Sequence, residues 1–361
     1  MEQSTPEIVA WDVAERVARQ SLRLAPAPPL SASELASLRD DFAAATQRAE
    51  HLVAEATGLR SAAGPVRALV TDRAGWVEAN IASFRRLLSP VARRIVASPK
   101  GRRATHPVSK AAAGTEVGLL LAWLSGRVLG QYDLLPIDET AADAVYYVGP
   151  NVRELERRHD FPPAEFRLWI ALHEVTHRLQ FTGVPWMRSH FLGIVERGTD
   201  VGTPDVSALL QSLRRAATDV RAGRNPIAEG GIVSLLASSD QLATLREAQA
   251  LMSLLEGHGD VVMSSAGNNE VPDAEHFGDV LRRRRAEVGP VARAVRQLIG
   301  IEGKMRQYAE GEQFVEAVLR AGGEALFARV WEAPDMLPTM EEIRQPERWI
   351  SRVEGRAAAS V

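Results

Sequence analysis

One stretch constrains this chain more than any other: Trp169-Ile-Ala-Leu-His173-Glu174-Val-Thr-His177-Arg-Leu-Gln-Phe181 sets two histidines and a glutamate into an apolar helical pattern. Leu168, Leu172, Val175 and Leu179 recur at helical spacing, Pro162 and Pro163 suit a helix start, and Gly183 with Pro185 ends the run. Residues four apart lie one turn apart on the same face, so the imidazoles of His173 and His177 can converge on one ion. Burying them with a carboxylate among apolar stripes is costly unless something pairs with them, and a metal does so. HExxH is the pattern of catalytic zinc sites, where three protein ligands leave a fourth position for water whose pKa the metal lowers. Glu174 is then the natural general base. The competing reading is a helix whose histidines merely hydrogen-bond on a wet face.

The third ligand has to come from elsewhere in the chain. A metzincin extension needs Gly at 180 and His at 183, where this chain has Gln180 and Gly183. Two glutamates fit the other pattern, in which an acid one turn later orients a ligating histidine: Glu196 with Asp200, and Glu256 with Asp260. Glu196 follows His177 after 18 residues (196 − 177 − 1) but runs into a loop-like Gly-Thr-Asp-Val-Gly-Thr-Pro stretch. Glu256 follows after 78 (256 − 177 − 1), inside the apolar helical pattern Leu-Leu-Glu256-Gly-His258-Gly-Asp260-Val-Val-Met263. A carboxylate there needs a reason for burial, and the flanking glycines permit close approach of another backbone, so Glu256 is favoured over Glu196. His258, two positions on, points to a different side of an ideal helix. It is a candidate proton donor or oxyanion stabiliser, or the ligand itself if the glycines distort the helix, set against a satisfied core histidine.

Several further stretches accompany these: Asp72-Arg73 with Trp76 and Asn80, Leu129-Gly-Gln-Tyr132-Asp, Gly149-Pro-Asn151, Pro185-Trp186, Lys304-x-x-Gln307-Tyr308-x-x-Gly311-x-x-Phe314, and Pro346 with Trp349. Together with HEVTH and LEGHGD they resemble the actinobacterial zincin-like metallopeptidase family, whose members are often described as candidate hydrolases. A subgroup of that family is labelled as associated with biosynthesis of the deazaflavin coenzyme. The resemblance spans residues 5–353 and implies a mainly helical zincin-like fold, a metal site at His173 and His177, and Glu174 as base. It implies no substrate. Arg178 is expected to point away from the metal.

Composition bounds the setting. A chain that is 45% hydrophobic and 25% charged has ample material for a core, and the absence of cysteine excludes disulfides and thiolate metal sites. The first residues lack the basic start and apolar core of a secretory signal, so a cytoplasmic home is expected. A net charge of −3 gives no global drive toward nucleic acid. The most apolar stretch, Gly114 to Gly130, is too short and too interrupted by Arg127 and glycines to span a membrane. Its glycines suggest a core helix in tight contact with neighbours.

The fold class expected is mainly α: one zincin-like domain over 1–353 with a small β element before the HExxH helix, and a frayed tail over 354–361. Residues 7–19, with Val9, Val13 and Val17 on one face, pair with a helix opened by a Ser31/Glu34 capping box and carrying Leu35, Leu38, Phe42, Ala45, Ala49, Leu52 and Val53 inward. A helical run from Thr71 to Ile95 carries Trp76, Phe84 and Leu87, with Pro90 kinking or dividing it. The basic segment 98–107, with Lys100, Arg102 and Arg103, reads as a solvated loop or a lid. Ala144-Val-Tyr-Tyr-Val148 is the best strand candidate, and as an edge strand it could bind extended substrate by main-chain pairing. Further helices are expected over 205–221 and 239–263, with a loop at 225–231 between them. Arg282 to Arg285, within 273–297, reads as a solvated helix face. Tyr308, on a polar helical stripe with Lys304 and Gln307, is a candidate oxyanion donor.

These readings combine into a zinc-dependent metallohydrolase, a peptidase or amidohydrolase, with Zn2+ held by His173, His177 and Glu256, Glu174 as base, and His258 or Tyr308 at the oxyanion. The expected partner is a peptide or amide-containing substrate, with no nucleic acid and no membrane. The alternative is a non-catalytic zincin-like binding or scaffold protein linked to deazaflavin coenzyme metabolism.

Overall fold

The computed structural model describes residues 6–97, 105–134, 143–198, 239–267, 270–286 and 304–359. Helices dominate, with one small three-stranded sheet, as the mainly α expectation requires. The chain divides into two compact units, Met1–Gly183 with Ser265–Ala274, and Val184–Ser264 with Glu275–Val361. Among the described residues, no helix is long and apolar enough to cross a membrane. The basic segment at Lys100 to Arg103, Asp200, the expected helix at 205–221, the loop at 225–231 and residues 287–297 lie outside the described residues.

In the first unit, α1 (Trp11–Leu24) buries Trp11, Ala14 and Ala18, with Val9 just ahead of it also buried and Val13 and Val17 half-buried. The alanines are drawn inward by α4 (Pro107–Ser125), which brings glycines against this helix. A Cβ on Gly114 would lie 2.3 Å from the Ala10 carbonyl oxygen, and one on Gly118 would lie 2.4 Å from that of Ala14. Backbone meets backbone there, so the small alanine stripe must face inward. The glycine-contact expectation therefore holds for Gly114 and Gly118. However, the helix stops at Ser125, and Gly130 belongs to a strand.

Helix α2 (Ala32–Thr57) opens with the Ser31/Glu34 capping box expected from the sequence, buries Leu38, Phe42, Ala49 and Val53, and ends on Gly58 in the left-handed region. Its inner face meets the sheet, where Phe42 stacks on Tyr147 and the Tyr147 hydroxyl lies 2.8 Å from that of Thr46. Burial pushes the Tyr147 phenol well above its ordinary range.

The sheet comprises β1 (Arg67–Thr71), β2 (Gly130–Tyr132) and β3 (Ala144–Val148), in the order β1-β3-β2. β3 pairs with β1 in parallel, Arg67 opposite Ala144, and with β2 antiparallel, Gly130 opposite Tyr147. Both edges of β3 are thus occupied, so the expectation that 144–148 pairs with substrate as an edge strand is overturned. Its nearly continuous apolar run is that of a central strand. Helix α3 (Arg73–Ala97) runs through Pro90 without dividing, because Val91 and Ala92 beyond it are buried. Trp76 on this helix is buried, whereas Phe84 is 37% exposed. Helix α5 (Gly149–His159) follows β3 directly, and α6 (Pro163–Thr182) is the HExxH helix.

Two arginines eleven positions apart (178 − 167), hence on one stripe of α6, anchor it from the side. Arg167 grips Glu156 with two bonds of 2.8 and 3.1 Å and also pairs with Asp41 of α2. Arg178, 0% exposed, holds Asp143 just before β3 through two bonds of 2.7 and 3.0 Å, and adds Glu50 of α2 and the Gly64 carbonyl. Its charge does point into these partners, as the sequence reading expects.

The second unit contains α7 (Met187–Gly198), α8 (Ser239–Gly267), α9 (Ala274–Ala286), α10 (Lys304–Phe327), α11 (Met340–Arg344) and α12 (Pro346–Ala359). α8 and α10 meet backbone to backbone. A Cβ on Gly257 would lie 2.2 Å from the Gly311 carbonyl carbon, and one on Gly311 would lie 1.9 Å from the Ser253 carbonyl oxygen. Around this contact Leu254, Phe314, Val318, Trp349 and Val353 form the core. The closing segment is largely helical: Trp349 sits on α12 with its indole N–H donating to the Met336 carbonyl, and helix continues to Ala359. On α9, Arg282 and Arg283 are exposed, and Arg282 pairs with Asp279.

Two stability measurements follow from these contacts. Arg178→Met leaves the Asp143 carboxylate buried without its partner and is expected to remove about 3–5 kcal/mol of unfolding free energy, read from the denaturant midpoint. The Ser31 backbone N–H and hydroxyl hold the Glu34 carboxyl down at about 2, from an ordinary 4.5. A depressed folded-state pKa contributes stability that is fully present above pH 4.5 and lost as the pH falls toward 2. Glu34→Gln should therefore flatten the acid limb of a melting-temperature profile between those limits.

Candidate metal centre

Pro163 in the first turn of α6 gives up an N–H that has no helical partner anyway, and the buried arginines fix the rotation of the helix about its axis. Leu172, Val175 and Leu179 are wholly buried on it, while His173 and His177 are half-buried. The two imidazoles meet nearly edge to face, with ring planes at 82°, and their Nε2 atoms lie 3.1 Å apart. Two imidazole nitrogens on one tetrahedral zinc are about 3.3 Å apart, given bonds of about 2.0–2.1 Å. The pair therefore fits a divalent ion, and a nitrogen donor set of this kind suits zinc.

The far side of the His177 ring is also engaged. Its Nδ1 lies 2.9 Å from Gln180 Oε1, one turn further along α6.

Glu174, 8% exposed, reaches across to β2, where its carboxylate accepts the Tyr132 backbone N–H at 3.0 Å. A Cβ at Gly130 would lie 2.6 Å from Glu174 Cγ. Only glycine leaves room for the side chain at that position, and Tyr132 stacks on Phe181 beyond it.

Strand β2 is three residues long and needs outside support. Asn80 and Gln131 exchange two amide hydrogen bonds of 3.2 and 3.1 Å. Asn151 donates to the carbonyls of Ser125 and Val128, tying down the connection into β2, and accepts from Arg73 Nε at 2.7 Å. Arg73 continues to Glu154. Asp72, Arg73, Asn80, Gln131 and Asn151, singled out for their family resemblance, thus share a structural task. Asp72 caps α3 through the Gly75 N–H, and the others hold β2 in register beside Glu174.

The remaining site residues expected from sequence lie in the second unit. Glu256 is half-buried in the middle of α8, whereas Glu196 is exposed near the end of α7. His258, 3% exposed, has its ring against Phe327 at 5.1 Å and Trp331 at 5.3 Å. Tyr308 lies on α10, but its side chain, like those of Lys304 and Gln307, is outside the described residues. Sequence reasoning missed Gly130 and Tyr132 as neighbours of Glu174 and Gln180 as a neighbour of His177. Gln180 sits at i+3 from a ligand and was available to a search for orienting partners; Gly130 and Tyr132 are 42 or more positions from Glu174 and carried no local signal.

A mainly helical protein that presents two converging histidines and a strand-held glutamate on one buried helix is zincin-like, of the metal-dependent hydrolase class. The chain belongs to the zincin-like metallopeptidase family, whose family model matches residues 9–350. It is also similar to the crystal structure of a candidate hydrolase with a novel fold from Chloroflexus aurantiacus, at 31% identity and a TM-score of 0.71, covering 96% of this chain and 99% of that one. No curated protein matches the chain.

Metal binding to the folded chain should register as stabilisation. At a free zinc concentration of about 100 Kd the gain is about 2.7 kcal/mol, seen as a raised melting temperature that a chelator reverses and that His173→Ala abolishes.

Proposed function

We propose that the protein is a zinc-dependent peptidase or amidohydrolase in which His173, His177 and Glu256 hold the ion and Glu174 is the general base. The observation that carries this reading is the carboxylate of Glu174, fixed by the Tyr132 N–H of β2 and borne on the same helix whose two histidine Nε2 atoms converge. A purely structural metal needs no carboxylate held in that place. Two imidazoles and a carboxylate are a common donor set for catalytic zinc, and the half-buried place of Glu256 on an apolar helix favours it over exposed Glu196.

A zinc ion held there would supply Lewis-acid polarisation of the scissile carbonyl and lower the pKa of a water. Glu174, its carboxylate oriented by Tyr132 N–H, is placed to take a proton from the attacking water and pass it to the leaving amine. His258, its ring set against Phe327 and Trp331, or Tyr308 donates to the developing oxyanion. The substrate is a peptide or amide rather than a nucleic acid, consistent with a net charge of −3, and the setting is cytoplasmic.

Glu174→Gln separates turnover from mere binding. Zinc content should be unchanged while hydrolysis of a peptide library falls by at least about 100-fold, the scale of a lost general base. Gly130→Ala should reproduce part of that loss with zinc retained, because its Cβ displaces Glu174. Turnover in Glu174→Gln equal to wild type would exclude Glu174 as the base, and a zinc-loaded wild-type chain that hydrolyses nothing would favour the scaffold reading with its deazaflavin link.

A further inference from the structure

Gln180 is wholly buried, 0% exposed, on the helix that carries the histidine pair. A buried primary amide is expensive unless its polar atoms are used, and this one places Oε1 2.9 Å from His177 Nδ1. The spacing of three residues sets the amide and the imidazole on the same side of α6. An amide oxygen can only accept, so the contact is a hydrogen bond when His177 carries its proton on Nδ1. In that tautomer Nε2 bears the lone pair, and Nε2 is the atom that lies 3.1 Å from His173 Nε2.

We propose that Gln180 is a positioning residue for the metal centre: it locks His177 in the Nδ1–H tautomer and fixes the ring so that Nε2 faces the ion. This inference rests on the metal-centre reading above. The choice of amide has a physical consequence. A carboxylate at this position would orient the ring equally well but would add a buried negative charge to a helix that already carries Glu174. The amide supplies orientation without charge, which leaves the metal more electron-poor than a carboxylate partner would. Leucine, close to glutamine in volume, removes the acceptor while keeping the packing, and glutamate keeps the acceptor while adding the charge.

The test compares zinc affinity, by competition with a chromophoric chelator, for the wild-type chain, Gln180→Leu and Gln180→Glu, with the melting temperature of each metal-free protein as the measure of folding. Gln180→Leu is expected to bind zinc about 10- to 100-fold more weakly at an unchanged metal-free melting temperature, and Gln180→Glu to bind more tightly than Gln180→Leu. Nitrogen-detected NMR of the wild-type imidazoles, which needs no variant, should show the His177 proton on Nδ1. Wild-type zinc affinity in a folded Gln180→Leu protein, or a His177 proton found on Nε2, overturns the role of Gln180 and leaves the metal centre standing. A wild-type chain that binds no zinc overturns both.

Discussion

The buried guanidinium of Arg178 is the constraint on which the first unit is built. A charge with no exposure to water has to be met by opposite charge and hydrogen bonds in fixed geometry. Asp143, Glu50 and the Gly64 carbonyl meet it from three separate parts of the chain: the start of β3, the middle of α2, and the loop before β1. Because the guanidinium is planar and its donors are fixed in direction, satisfying all three sets the rotation of α6 as well as its position. Arg167, on the same stripe, repeats the arrangement with Glu156 and Asp41. Once that face of α6 is pinned, His173, Glu174 and His177 have one direction in which to point.

On the side of Glu174 the controlling element is a strand of only three residues. β2 brings Gly130 and the Tyr132 N–H against Glu174, and so short a strand holds no register alone. Its register comes from pairing with β3 and from a relay of side chains, Arg73 to Asn151 and Asn80 to Gln131. The polar residues that make the chain recognisable therefore lie mostly behind the chemistry. They would be dispensable to a metal site alone, but they are needed to hold a carboxylate beside one.

Much of this was legible from local pattern. The capping box at Ser31, the proline start and glycine stop of α6, and the convergence of His173 and His177 each depend on residues within a few positions of one another, where helical geometry is nearly deterministic. Val9, Val13 and Val17 mark only part of the inner face of α1: Val9 is buried, but the glycines of the neighbouring helix, which nothing in residues 7–19 announces, also draw Ala10 and Ala14 into close contact. The edge-strand reading of 144–148 failed for a similar reason. Strand β1 is a five-residue segment with no alternation, so nothing in the sequence announced the partner that closes that edge.

By itself, the sequence determined a mainly helical protein with an HExxH helix, two converging histidines and a glutamate between them, because those follow from a period of 3.6 residues and the cost of burying charge. Tertiary structure decided what those residues touch. Whether Glu174 meets a backbone N–H, whether Gly130 leaves it space, and whether Arg178 can be buried at all depend on contacts 35 to 128 positions apart in the chain. Such pairings arise from the packing of whole elements and leave no trace in any local window of sequence.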